Sequence, residues 1–240
     1  MAFRLIGWRE YLFPAPSTIG RSFVDMLSLS PAFGGRPMLW APLVSLVRLI
    51  VGFAISMAVG GLLGLAMWRF AALDRFLGPL FLGFQTLPSV CWVPLGILLF
   101  GINERGILFV LVMGSAFAVA IALRDGLSVI PPLYQRAGLM LGARGWRMYR
   151  YVLLPASMPA LAGSLRQGFS FAWRSLMGAE LLFHAVRWHG LGFLLQAGRD
   201  YSDVAQVVAV MIVMIGIGMA ADRFGFARLQ ERVQARFGLV

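Results

Sequence analysis

An apolar run from about Met158 to Phe183 holds Arg166 near one end, where it can snorkel, and two deeper ionisable residues, Arg174 and Glu180. A charge at bilayer depth is costly, so both should face protein or water and are candidates for handling a solute. A guanidinium matches the oxygens of carboxylate, sulfonate and nitrate. The competing reading is a structural ion pair with another helix. Helical spacing sets the two about 120° apart, so they should not pair within one helix. A second group, Gln85, Thr86, Ser89 and Trp92, surrounds Pro88 and Pro94 in the middle of another apolar run, Leu77–Phe100. Small polar groups and prolines at that depth fit a broken helix beside a watery cavity, or a simple proline kink. The third feature is a polar island, Leu133–Pro155, which holds Arg136, Arg144, Arg147 and Arg150 and no acid.

Other chemistries find no footing. All 21 basic residues are arginines, so the lysine of a Walker A loop is missing and any ATP-driven step needs another subunit. No GxSxG, HExxH or carboxylate pair marks an enzyme. Cys91 is the lone cysteine, which excludes an intrachain disulfide and a cysteine-cluster zinc site. His184 and His189 lack clustered acids, so no metal site is expected.

The elements that position these residues follow from composition. The chain has 240 residues, 60% of them hydrophobic and 13% charged, with a mean hydropathy of +0.81. A soluble domain is nearer half apolar and a quarter charged. The expected fold is an all-α polytopic membrane bundle of about five transmembrane helices: Trp40–Trp68, Leu77–Phe100, Gly106–Leu123, Met158–Phe183 and Val204–Ala221. Gly52, Ser56, Gly60 and Gly64 recur every four residues on the first, a stripe that admits another backbone; Gly114, Ala118 and Ala122 give the third a small-residue face. Residues 1–39 are expected to be an interfacial or extracytoplasmic segment, with a short helix over Met1–Phe13 and another capped by Ser17 or Thr18. Residues 40–221 form the membrane domain, with a cytoplasmic loop over 124–157, and 222–240 a cytoplasmic tail helix. The net charge of +11 sits mostly in loops and suits membrane anchoring rather than nucleic acid. Arginines are more numerous in the 69–75 turn, the island and the tail than on the opposite side, which places those segments in the cytoplasm.

The island reads as two helical halves, Leu133–Leu141 and Gly145–Leu153, joined by Gly142-Ala143 and stopped by Pro155. Leu133, Ala137, Met140 and Leu141 form an apolar face that suits a groove on a partner; an interfacial anchor is the alternative. The pattern AGLMLGARGWRMYRYVLLP resembles the EAA loop of permease subunits of binding-protein-dependent ABC importers. Ala137, Gly142, Ala143, Leu154 and Pro155 match, while Gln135 and Arg136 stand where that loop has glutamate and alanine. Ser45-Leu46-Val47-Arg48 with Gly52, Leu87-Pro88, Trp92-Val93-Pro94-Leu95, Phe100-Gly101-Ile102, Ala172-Trp173, Ala179-Glu180 and Leu191-Gly192 resemble the nitrate, sulfonate, taurine and bicarbonate branch.

The resemblance implies a multi-pass subunit of the bacterial cytoplasmic (inner) membrane, working as a homodimer or with a sister chain. Two ATP-binding subunits would hold the ATP and magnesium, and a periplasmic or lipid-anchored solute-binding protein would deliver cargo. Gln135, Arg136, Ala137, Gly142, Ala143, Leu154 and Pro155 would couple to the ATPase. Gln85, Thr86, Ser89, Trp92, Arg174 and Glu180 would line the path of a small oxyanion. A neutral or cationic nutrient, such as a vitamin precursor, is the alternative cargo; a secondary transporter or membrane scaffold subunit is the alternative class. Family members have six spans, so this chain is expected to lack the first or to keep an interfacial remnant before Pro14.

Overall fold

The computed structural model describes residues 14–27, 29–30, 36–37, 40–183, 186 and 188–236. The helix expected over Met1–Phe13 and the residue His184 lie outside the described residues. Helix α1 (Pro16–Leu27) begins at Pro16 rather than at a Ser17 or Thr18 cap. Proline suits a first turn, where its missing N–H has no helical partner to lose. Within the Gly/Pro loop that follows, β1 (Leu29–Ser30) pairs antiparallel with β2 (Arg36–Pro37), Leu29 opposite Pro37.

The remaining elements are helical. They are α2 (Trp40–Arg69), α3 (Ala71–Thr86), a 3-10 turn (Ser89–Trp92), α4 (Val93–Phe100), α5 (Glu104–Ser128), α6 (Pro132–Met140), α7 (Trp146–Met148), a π turn (Tyr149–Leu153), α8 (Leu154–Leu182), α9 (Leu191–Asp200), α10 (Val204–Ala220), a second π segment (Ala221–Ala227) and α11 (Arg228–Arg236). Among the described residues, three runs are long and apolar enough to cross a membrane: α2, α5 and Val204–Val233; α3 with Ser89–Phe100 makes a fourth if the broken pair counts as one span. Helix α8 has 29 residues, about 44 Å at ~1.5 Å per residue. It is long enough to span but less apolar, because it carries Arg166, Arg174 and Glu180. All five expected positions are therefore helical, and apolarity alone singles out three or four.

Three expectations change. Leu87 and Pro88 leave the helix altogether, so the second run is broken and not merely kinked. Pro155 does not end the island's second half, since helix continues through it from Trp146 to Leu182. The Leu154 N–H already reaches five residues back to the Tyr149 carbonyl, so the hydrogen-bond ladder is widened where proline brings no donor. The tail is not a separate helix at Asp222 either, because α10 runs through the π segment into α11.

The chain forms two compact units. The first comprises residues 1–51, 89–111 and 173–219. Its core gathers Ala41, Leu191, Leu194, Ala209 and Val210, with Phe23 and Trp173 packed against them. The second comprises residues 52–88, 112–172 and 220–240. Here the small-residue stripe of α2 meets α5. A Cβ at Gly60 would strike the Ala116 carbonyl, and one at Gly64 the Ala120 carbonyl. Ser115 donates to Ser56 across the same contact at 2.7 Å. The close approach falls on Ala116, Val119, Ala120 and Leu123 rather than on the Gly114–Ala118–Ala122 face. Phe53, Phe169 and Phe226 cluster, with centroids 4.7 to 6.2 Å apart. Nearby, Arg166 grips Asp222 with two bonds of 2.6 and 2.7 Å. Both contacts fasten the π segment to α8.

Candidate functional site

The island, in the second unit, is a helical hairpin. Helix α6 closes with a Schellman turn: Gly142 N–H bonds the Leu139 carbonyl at 3.0 Å and Ala143 N–H the Gly138 carbonyl at 2.9 Å. Gly142 adopts φ +80°, the left-handed conformation that glycine takes without a Cβ penalty. Gly138 lets α6 lie against the second arm, where a Cβ would come within 3.0 Å of Met148 and Val152. Gln135, Arg136 and Ala137 are exposed, as is the apolar face named from the sequence; Met140 is 89% exposed. Ala143 and Pro155 are half-buried, and Gly142 and Leu154 exposed. The hairpin thus presents apolar and cationic groups outward from a rigid, hydrogen-bonded turn.

The path candidates fall in both units. Gln85 and Thr86 belong to the second unit, and Thr86 donates to the Gly83 carbonyl at 2.7 Å. Ser89, Trp92, Arg174 and Glu180 belong to the first. There α8 passes the 3-10 turn at Gly178, where a Cβ would lie 3.7 Å from Ser89 Oγ. Arg174 sits one helical turn before Gly178, toward the same side of α8, and is exposed.

Glu180 has a different fate. It is 1% exposed, and its carboxylate is enclosed by groups of this chain. Arg48, 6% exposed, donates to Glu180 at 2.9 Å, to Glu104 at 2.6 and 2.7 Å, and to the Trp188 carbonyl at 2.6 Å. Ser45 donates to Glu180 at 2.7 Å and accepts the Leu191 N–H at 2.9 Å. The Gly192 N–H completes the cage at 3.1 Å. A Cβ at Gly190 would overlap the Glu180 carboxylate, so the loop backbone can wrap the acid only as glycine. A buried charge needs this degree of pairing and hydrogen bonding. Burial, and then the charge on Arg48, hold the nearby His189 below the ordinary histidine value; its ring stacks on Phe193 at 3.9 Å.

The sequence marks Arg48 only as part of a motif and does not single out Glu104. Yet Ser45, Arg48, Glu180 and Leu191-Gly192, read as separate stretches of resemblance, meet here around one carboxylate.

Residues 52–234 match the family model described as the binding-protein-dependent transport system inner membrane component. The chain belongs to this family. A putative ABC transporter permease of Methanocaldococcus jannaschii is 32% identical over 75% of this chain and 67% of its own length. A bicarbonate transport system permease of Synechococcus elongatus is 25% identical over 79% of this permease and 67% of its own length. A putative aliphatic sulfonates transport permease of Bacillus subtilis is 26% identical over 91% and 75%. The fold is shared with a chain of the inward-facing MetNI methionine ABC transporter, at TM-score 0.66 and 20% identity, over 82% of this permease and 98% of that chain. This permease is thus an all-α, multi-pass ABC importer subunit whose relatives lie in the nitrate, sulfonate and bicarbonate branch.

Proposed function

We propose that this permease forms part of the translocation path for a small oxyanion, such as nitrate, bicarbonate, taurine or another sulfonate, in the bacterial cytoplasmic membrane. ATP and magnesium are held by two partner subunits, an external solute-binding protein delivers cargo, and a second permease chain, most simply a copy of this one, completes the path. The observation that carries the coupling half is the hairpin over Pro132–Leu153, whose apolar face and arginines point outward from a Schellman-locked turn. Gln135, Arg136, Ala137, Gly142, Ala143, Leu154 and Pro155 form the contact and its support. ATP-driven closure of the partners moves this hairpin as a rigid body, and helix α8, continuous with its second arm, carries the motion into the membrane.

The anionic cargo is supported by relatives named for bicarbonate and sulfonates and by Arg174. An exposed guanidinium on a spanning helix must meet water or another chain rather than lipid. The test is twofold. Arg136→Glu in the full transporter is expected to lose ATPase co-purification and uptake; retention of both overturns the coupling role. The solute-binding protein that delivers to this permease is expected to hold an oxyanion, and a cationic or neutral ligand there overturns the cargo.

A further inference from the structure

Two adjoining hollows in the second unit border the coupling hairpin at Gln135, Ala143 and Leu154 and include none of the path candidates. The first is an apolar groove of about 640 Å³, walled by α2, α5 and α8 through residues such as Met57, Gly61, Leu62, Leu127 and Leu161. The second is a polar pocket of about 590 Å³ that includes Arg69, Gln135 and Arg144. They share Trp68, Tyr149 and Leu153, and Arg150 stands on the groove. Trp68 and Tyr149 meet edge to face at 6.1 Å, an aromatic pair of the kind that marks a membrane–water boundary. No carboxylate lines either hollow among the described residues.

The dimensions suggest what fits. From Trp68 the groove reaches Met57, about 16 Å along α2 at ~1.5 Å per residue. That is roughly half of a ~30 Å hydrocarbon core, the depth of one leaflet. An apolar slot one acyl chain deep thus opens into an arginine-lined pocket on the side that the arginine bias assigns to the cytoplasm. We infer that Arg69, Arg144, Arg150 and Gln135, together with the α2–α5–α8 groove, form a binding site for an anionic phospholipid of the cytoplasmic leaflet. The acyl chain lies along Leu62 and Leu161, and the phosphate sits among the guanidinium groups. Basic pockets beside spanning helices on that face select anionic headgroups by charge. The inference rests on the membrane orientation and not on the identity of the cargo.

The test is lipid retention by native mass spectrometry. The full chain, in its assembled transporter, is presented with equal amounts of phosphatidylglycerol and phosphatidylcholine of identical acyl chains. Retention is expected to favour the anionic lipid by at least about fivefold, since one arginine near an anionic headgroup contributes roughly that factor. The double variant Arg144→Gln/Arg150→Gln should bring the ratio close to one, while Arg232→Gln on the tail should leave it unchanged. Gly61→Phe, placed where the space beside the backbone is open, should reduce retention of both lipids. A wild-type ratio near one overturns the site, and this result does not depend on any variant folding. Equal loss with Arg232→Gln, displacement by millimolar inorganic phosphate, or a Gly61→Phe variant that changes permease association with lipid unaffected would each overturn it as well.

Discussion

Arg48 is held by two carboxylates and a carbonyl, and it is the charge that makes a buried Glu180 tolerable. Removing it leaves the carboxylate with only Ser45 and one backbone N–H. Arg48→Met should therefore cost about 3–5 kcal/mol, the range for breaking a buried pair, read as a lowered melting midpoint of the purified transporter. Replacing both partners, as in Arg48→Met with Glu180→Leu, should recover part of that loss; equal loss in single and double variants would show that the pair itself contributes little. His189 adds a pH dependence. Its folded pKa is lowered by burial and by Arg48, so the unfolded chain takes up a proton first as pH falls. Stability should decline as pH drops through and below the ordinary histidine value of about 6.5, and His189→Gln should flatten that slope. Arg48 was visible in the sequence only within the Ser45-Leu46-Val47-Arg48 motif. Its partners lie far along the chain, and only tertiary contact reveals which acid neutralises which base. Arg174 and Glu180, about 120° apart on one helix, face different environments, the first exposed and the second buried.

The hairpin shows what local rules can and cannot deliver. Gly142 was legible as a bend because a left-handed C′ residue is a local requirement, and its φ of +80° agrees. Gly142→Ala should weaken the turn by roughly 1 kcal/mol, the cost of a Cβ in that conformation. Gly142→Pro should also remove the N–H that bonds Leu139. ATPase association should fall modestly for alanine and be lost for proline, measured by co-purification; an unaffected complex with proline would remove the hairpin from the coupling path. Pro155 misled because a proline is read as a stop when the preceding ladder is assumed to be α. A π turn supplies the missing tolerance, and it leaves the second arm continuous with α8. The tail is a similar case: residues around Asp222 look like a boundary by charge, yet Arg166 and the phenylalanine cluster hold them in the helix.

At the scale of the whole chain, composition points to a membrane bundle, and arginine placement predicts its sidedness. The segments assigned to the cytoplasm, namely the 69–75 turn, the 124–157 loop and the residues after Ala220, all fall in one compact unit. The turns near residues 101–105 and 183–203 fall in the other. Sidedness therefore has one consistent test. In a Cys91→Ser background, single cysteines at Arg144, Arg232 and Ser202 are labelled with a membrane-impermeant maleimide in intact spheroplasts. Ser202→Cys should react, whereas Arg144→Cys and Arg232→Cys should react only after lysis. Ser202 suits this because it is exposed and sits at φ +57° in the turn after α9, away from the caged carboxylate. Labelling of all three without lysis would put both ends of α8 and of the helix from Val204 onward on one side, so neither would be a span, and the hairpin would be denied its cytoplasmic partner.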